Sequence, residues 1–429
     1  LLKSQKNIDK TIVGARFSDA PEGEENHIIT HYIDFETIDN TIKNLMRIKV
    51  FLIKELNGFA DKNNFNEPDA GVDYSEFEVN EKSYISNLII DCSVVEKLSV
   101  PDISSIEIEE SALITFYKTE LKLNDIFSKI FGDSIRYSIY GDNSISVDKD
   151  TFNRIKEEIP YLISMVSTDI STLVPSELSD DIQESDIYIP KPKTEPIIGV
   201  IDTLYDRSVY FNDWVTYEEV LDEYEKYHIK DENRIHGTEV SSIIVDGPTL
   251  NPELDDGCGR FRVKHFGVCV DRISPSRLVR KIKSIVDANP QIHVWNLSLG
   301  TEEEVSKNFI SYDASILDEL QATKNTIFVI SGTNDNNPQF NKRLRIGSPA
   351  DSLNSMVVNS VKRNNEPCTY SRKGRVLSFF NKPDVSYYGG DVKEKLNVYS
   401  PKGIAKEMGT SFAAPWISRK LCYLIDVIG

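Results

Sequence analysis

Long apolar runs are missing from this sequence. Nowhere among its 429 residues does it approach the roughly 20 consecutive apolar positions that cross a bilayer, and no basic segment followed by an apolar one marks a secretory signal. Cysteine is scarce and odd in number: Cys92, Cys258, Cys269, Cys368 and Cys422 are the five, widely spread, with no C-x-x-C pair and no metal-ligand spacing. This excludes a disulfide framework or a zinc module and fits reduced thiols, so a cytoplasmic location is expected. Positive charge is in deficit, 49 Lys and Arg against 68 Asp and Glu for a net −19, and nearly all the excess acid lies ahead of residue 195. Such a front repels phosphate backbones, and no lysine or arginine run forms a membrane patch, so no nucleic-acid and no membrane partner is expected. Methionine is rare at four residues and tryptophan at three; the Met spacing suggests no cofactor box, and Trp214, Trp295 and Trp416 read as core or interface anchors.

What remains is ordinary for a folded protein: 40 % hydrophobic and 27 % charged residues supply a buried core and a solvated surface. The length suggests two or three domains. Residues 1–105 hold a strand-like run at 27–33 and then Ile38, Ile42, Leu45, Ile48, Leu52 and Leu56, a spacing of three and four that predicts one apolar helical face. Residues 61–81 have loop composition. Between 111 and 166 strand, helix, strand, strand, helix and strand patterns alternate, the β-α-β-β-α-β order of a small ferredoxin-like α+β domain, placed at 106–169. Prolines among acids make 170–196 read as an extended linker. From 197 to 429 short, fully apolar runs at 197–201, 292–295, 327–330 and 356–358 alternate with helical stretches. Strands apolar on both faces predict an α/β domain with a mostly parallel sheet covered by helices on each side.

Chemistry-bearing residues stand at the ends of these elements. Asp202 closes the run Ile-Gly-Val-Ile-Asp-Thr, His236 opens His-Gly-Thr-Glu-Val, and Ser411 sits in Gly-Thr-Ser-Phe-Ala-Ala-Pro. A serine hydroxyl needs a base to become a nucleophile near neutral pH, and histidine titrates there. A carboxylate on the other ring nitrogen would orient that base. Two further blocks follow the same pattern: Trp295-Asn-Leu-Ser298-Leu-Gly300 and Ser331-Gly-Thr-Asn334-Asp.

From about residue 197 to its end the chain resembles the catalytic domain of the subtilisin-like serine peptidases, the subtilases, and its order Asp, His, Ser along the chain is the order found in subtilisin. The resemblance implies Asp202 as orienter, His236 as base, Ser411 as nucleophile and the Asn334 amide as oxyanion donor, with Thr410 assisting. It also implies substrate binding by Ser298, Leu299, Gly300, Ser331, Gly332 and Gly347. Ser298, Leu299 and Gly300 would align the substrate as an added strand, and because Ser331, Gly332 and Gly347, which would border the pocket for the side chain before the scissile bond, are small, an open pocket tolerant of large side chains is expected, with Asp335 at its rim favouring a basic one. The segment ahead resembles a subtilase prodomain, which implies latency; residues 1–105 read as a regulatory or docking region. No cofactor is required, and the metal question stays open: structural calcium, known in relatives, has no placed ligands here, since Asp255-Asp256 and Asp231-Glu232 serve equally as loop caps. The expected partners are a protein or peptide substrate and a regulatory protein such as an associated ATPase. The alternative is a catalytically silent subtilase-fold binding module. The residue after the nucleophile, Phe412, and Glu239 after the base depart from the family pattern.

Overall fold

A computed structural model describes residues 11–17, 27–60, 81–168 and 187–428, apart from 96, 101–102, 104–105, 109–110, 133, 141–142, 271–272, 274, 307–308, 336–342 and 378–379. All but the last residue of the expected loop at 61–81 and most of the expected linker therefore lie outside the described residues. The chain forms two compact units, one of residues 1–110 and 114–166 and one of residues 111–113 and 167–429.

In the first unit, strands β1 (Ile12–Phe17) and β2 (His27–His31) pair antiparallel ahead of helix α1 (Phe35–Leu56). Asp34 caps α1 by accepting the Thr37 N–H at 2.7 Å, and the chain leaves it through Asn57 at φ 52°, a left-handed residue that Asn tolerates. Only the end of the expected apolar face is covered: Ile48 and Phe51 pack with Ile85 of α2 (Glu81–Val94), while Ile38, Ile42 and Leu45 stay exposed. Then come β3 (Ser111–Phe116), α3 (Leu123–Phe131), β4 (Ser138–Tyr140), β5 (Ser144–Asp148), α4 (Lys149–Glu158) and β6 (Ile163–Thr168). Their sheet order is β4-β5-β3-β6, which puts the first strand beside the last. Phe127 of α3 meets Phe116 edge to face at 5.4 Å, and Phe152 and Ile155 of α4 are wholly buried.

The second unit is built on seven strands: β7 (Ile197–Asp202), β8 (Val215–Glu219), β9 (Arg262–Gly267), β10 (Val294–Leu297), β11 (Ile327–Ser331), β12 (Met356–Val361) and, after the short ribbon β13 (Gly374–Val376) and β14 (Phe380–Lys382), β15 (Val385–Tyr388). Their order is β15-β12-β11-β10-β7-β9-β8, and every pairing is parallel. Side chains alternate faces along a strand, and two cores result. On one face Ile198, Val200, Val294 and Val329 pack against Val240, Ile243 and Ile244 of α5 (Ile235–Leu250) and against Phe412 and Trp416 of α8 (Thr410–Tyr423). On the other, Ile201, Trp295, Phe328 and Ile330 meet Leu278 and Ile282 of α6 (Pro275–Ala288) and Leu317 and Leu320 of α7 (Tyr312–Thr323). A hairpin, β16 (Leu396–Ser400) and β17 (Gly403–Glu407), leads into α8. All five cysteines are free thiols, and no described helix is long and apolar enough to cross a membrane.

Candidate active site

The sheet order places a crevice. From β7 the chain first builds β8 and β9 to one side, then crosses to β10 and works outward on the other. Loops leaving the carboxyl ends of β7 and β10 diverge there, and α/β sheets bind ligands at such reversals. Asp202 is the last residue of β7, Ser298 follows the last residue of β10, and Ser331 ends β11.

Asp202 is fully buried, and its Oδ1 accepts from His236 Nδ1 at 2.6 Å and from the Thr203 N–H at 2.7 Å. An acceptor so placed requires the ring proton on Nδ1, which leaves the Nε2 lone pair for a substrate proton. The Thr203 hydroxyl also donates to Asp202 at 3.3 Å and accepts the Gly237 N–H at 2.9 Å, tying the carboxylate to the first turn of α5. Behind it, His265 Nε2 donates to the Thr203 carbonyl at 2.8 Å, and its Nδ1 accepts from Ser241 at 2.9 Å. Burial lowers the His265 pKa, so this ring is a neutral prop. Burial also acts to lower the pKa of His236, but the bond to Asp202 and the field of Glu407 outweigh it, and the net shift is upward.

Ser411 is the second residue of α8, and the next ring, Phe412, lies 5.8 Å from the His236 imidazole. In this state the Ser411 hydroxyl donates to the Ser298 carbonyl at 3.4 Å, while the Ser298 hydroxyl donates back to the Ser411 carbonyl at 3.2 Å. Asn296 links the same two elements: its amide donates to Ser298 Oγ at 3.0 Å and its Oδ1 accepts from Ser418 at 2.9 Å. The structure thus joins Asp202 to His236 and the Ser411 segment to β10, with no hydrogen bond between His236 and Ser411.

Asn334 is held by its oxygen. The Thr410 N–H and hydroxyl both donate to Oδ1 at 3.0 Å; a backbone N–H can only donate, so the amide orientation is settled and its NH₂ group is left to give. Gly409 is required beside it: its φ is 154°, and a Cβ there would come within 3.0 Å of Asn334 Nδ2. Thr333, just before Asn334, has φ 63°, a costly conformation for a β-branched residue and one that aims the asparagine.

Of the six residues expected to bind substrate, Ser298, Leu299 and Gly300 follow β10, Ser331 ends β11 and Gly332 follows it, and Gly347 lies before β12. Leu299 turns its side chain into the second core, so only its backbone is available. The Gly332 N–H is taken by Val358 O and that of Gly347 by Thr333 Oγ1, each at 2.8 Å. Asp335 is 6 % exposed and lies in the field of Arg372, not at an open rim. Among the described residues no group of three or more His, Cys, Asp or Glu could hold a metal ion; both carboxylate oxygens of Asp256 face the Arg419 guanidinium at 2.9 Å. Sequence reasoning missed the bracing by Thr203 and the clamp by Thr333. Thr203 was legible as a hydroxyl next to the strand-terminal acid, whereas the backbone angle of Thr333 leaves no mark in composition or spacing.

The model of the subtilase family matches residues 69–428. A search of curated proteins finds no match. Among solved structures, the epidermin leader peptide processing serine protease EpiP of Staphylococcus aureus, as a serine-to-alanine mutant, is similar with TM-score 0.52 and 16 % identity over 74 % of this chain and 89 % of that one. A mutant of the protease domain of PatA gives TM-score 0.42 and 19 % identity over 54 % and 78 % of the two chains. The prenylagaramide maturation protease PagA gives 0.42 and 18 % over 54 % and 76 %. EpiP shares the fold, and the family match extends over most of the residues, including every one of the site residues above: the chain belongs to the subtilase family of serine peptidases.

Proposed function

We propose that this protein is an endopeptidase in which Asp202, His236 and Ser411 act as orienter, base and nucleophile. Ser411 Oγ turns by a side-chain rotation from Ser298 O toward His236 Nε2; such bonds tighten only when substrate binds. Oγ attacks the peptide carbonyl carbon while its proton passes to Nε2. Charge on the carbonyl oxygen meets the Asn334 NH₂ group and the Ser411 N–H at the start of α8, where the helix dipole favours an anion. The C–N bond breaks as His236 returns the proton to the departing amine. Water then attacks the ester with His236 as base, releasing the acid and Ser411.

The observation that carries this reading is the 2.6 Å Asp202–His236 hydrogen bond at the sheet reversal, with the second residue of α8 a serine and the residue before it fastened to Asn334. A fluorophosphonate tests it: labelling of the wild type and not of Ser411→Ala supports a hydrolase, and no labelling of either, even after removal of residues 1–196, favours a silent module. Latency belongs to the same proposal, supported by the β-α-β-β-α-β order ahead of the peptidase unit. Mass spectrometry of active protein should find a cut between 167 and 196; an intact active chain rejects release by cleavage and leaves the hydrolase standing.

A further inference from the structure

We propose that Thr333 closes the pocket beside Ser411 and restricts cleavage to bonds that follow a small side chain, a reading that rests on the hydrolase proposed above. The carbonyl carbon held on Ser411 has three other substituents. Its oxygen turns to Asn334 and its leaving amine toward His236, so the acyl residue's own side chain is directed between segments 298–300 and 331–334. Segment 298–300 borders the nucleophile directly, since Ser298 exchanges hydrogen bonds with Ser411 in both directions.

Thr333 spans that gap. Its methyl carbon lies only 2.5 Å from the point a Cβ on Gly300 would occupy, so the methyl is seated against the Gly300 backbone. Its hydroxyl donates to the Gly332 carbonyl at 2.7 Å and accepts the Gly347 N–H at 2.8 Å. With the hydroxyl bonded in both senses and the methyl packed, the side chain has no rotamer left that clears the space, and it is 7 % exposed. Behind it the floor is filled as well, for a Cβ on Gly347 would come 2.0 Å from the Thr301 carbonyl oxygen. The small residues that suggest an open pocket in the sequence instead receive Thr333 and residue 301. A left-handed backbone is costly for a β-branched residue, and its retention beside Ser411 points to a role in the site.

Peptidyl diphenyl phosphonates with alanine or phenylalanine at the acyl position, reacted with the full chain, read the pocket; an alkyl fluorophosphonate reads Ser411 alone. The alanine probe should react faster than the phenylalanine probe by at least about tenfold, the discrimination a hydrophobic pocket achieves by steric fit. Thr333→Ser keeps the hydroxyl and deletes the methyl, and Thr333→Gly deletes both, so the phenylalanine-to-alanine ratio should rise stepwise. Fluorophosphonate labelling of each variant reports that it is folded. Equal rates with the two probes in the wild type overturn the proposal, as does a ratio unmoved in a variant that the fluorophosphonate labels. Failure of the fluorophosphonate to label the wild type, whether intact or cleaved between 167 and 196, removes the hydrolase and this inference with it.

Discussion

Replacing Asp202 by asparagine leaves the shape of the site intact and removes one charge, so it isolates what that carboxylate contributes. Oδ1 serves both His236 Nδ1, at 2.6 Å, and the Thr203 N–H, at 2.7 Å. The asparagine can place its oxygen there, which retains the tautomer but withdraws the charge that stabilises an imidazolium. The NH₂ group then occupies the position of Oδ2, a buried atom with no hydrogen-bond partner, where its protons find no acceptor. Alternatively, the amide turns its NH₂ group to Nδ1, which moves the ring proton to Nε2 and abolishes the base, and the Thr203 N–H loses its acceptor. Either arrangement strands a buried polar group at a cost of about 1–3 kcal/mol. In serine peptidases the analogous change lowers kcat by about ten-thousandfold, equivalent to roughly 5 kcal/mol at 1.36 kcal/mol per tenfold. We expect that order of loss in kcat/KM for Asp202→Asn on a peptide substrate, with thermal unfolding measured separately. The pH profile should move too. Wild-type activity needs neutral His236, whose pKa is raised above 6.5 chiefly by Asp202 against the effect of burial, so its acid limb should lie above that value and shift downward in the variant. A loss smaller than about tenfold with an unmoved acid limb would refute the assigned roles.

Asn334→Ala should lower kcat by about 100- to 1000-fold with KM within a few fold, because the amide acts on charge that appears only in the transition state; a change confined to KM contradicts that. Arg419→Leu should cost about 3–5 kcal/mol of stability, read as a lower urea midpoint at constant m, since it strands Asp256 in a wholly buried pair and frees the carbonyls of Ile244 and Gly259; a loss under about 1 kcal/mol denies the pair that role. Burial, and next the charge of Asp313, push the Asp351 carboxyl up to about 7. Folding then favours the protonated form, so its stabilising effect is full below the ordinary carboxyl range near 4 and is lost as pH rises through 7. Asp351→Asn, whose oxygen can accept the Ser311 N–H while its NH₂ group donates to the Ser311 hydroxyl oxygen, should therefore raise Tm at pH 8 and lose that advantage at pH 4; equal differences at both pH values count against a buried proton.

How much could be read in advance follows from where each signal resides. Runs apolar on both faces, such as those ending at Asp202 and Ser331, carry their own evidence of a covered parallel sheet, because only burial on both sides repays such composition. Strands β8 and β15 escaped because Val-Thr-Tyr-Glu-Glu and Val-Ser-Tyr-Tyr lie at the sheet edges, where most of their positions are partly or fully exposed and no continuous run forms. The β-α-β-β-α-β alternation was likewise local, whereas the exposed first half of the α1 face was not, since periodicity marks an apolar stripe without saying what covers it. Asp202, His236, Asn334 and Ser411 stand in motifs that any reader of the chain can find. That Asp202 and His236 touch, and that Ser411 rests on Ser298, depended on the sheet reversal bringing distant strand ends together. The segment around Thr333 is the clearest division between the two: glycines at 300 and 347 announce space, but the Thr333 side chain, reached only through a left-handed turn, packs its methyl against Gly300 and takes the Gly347 N–H.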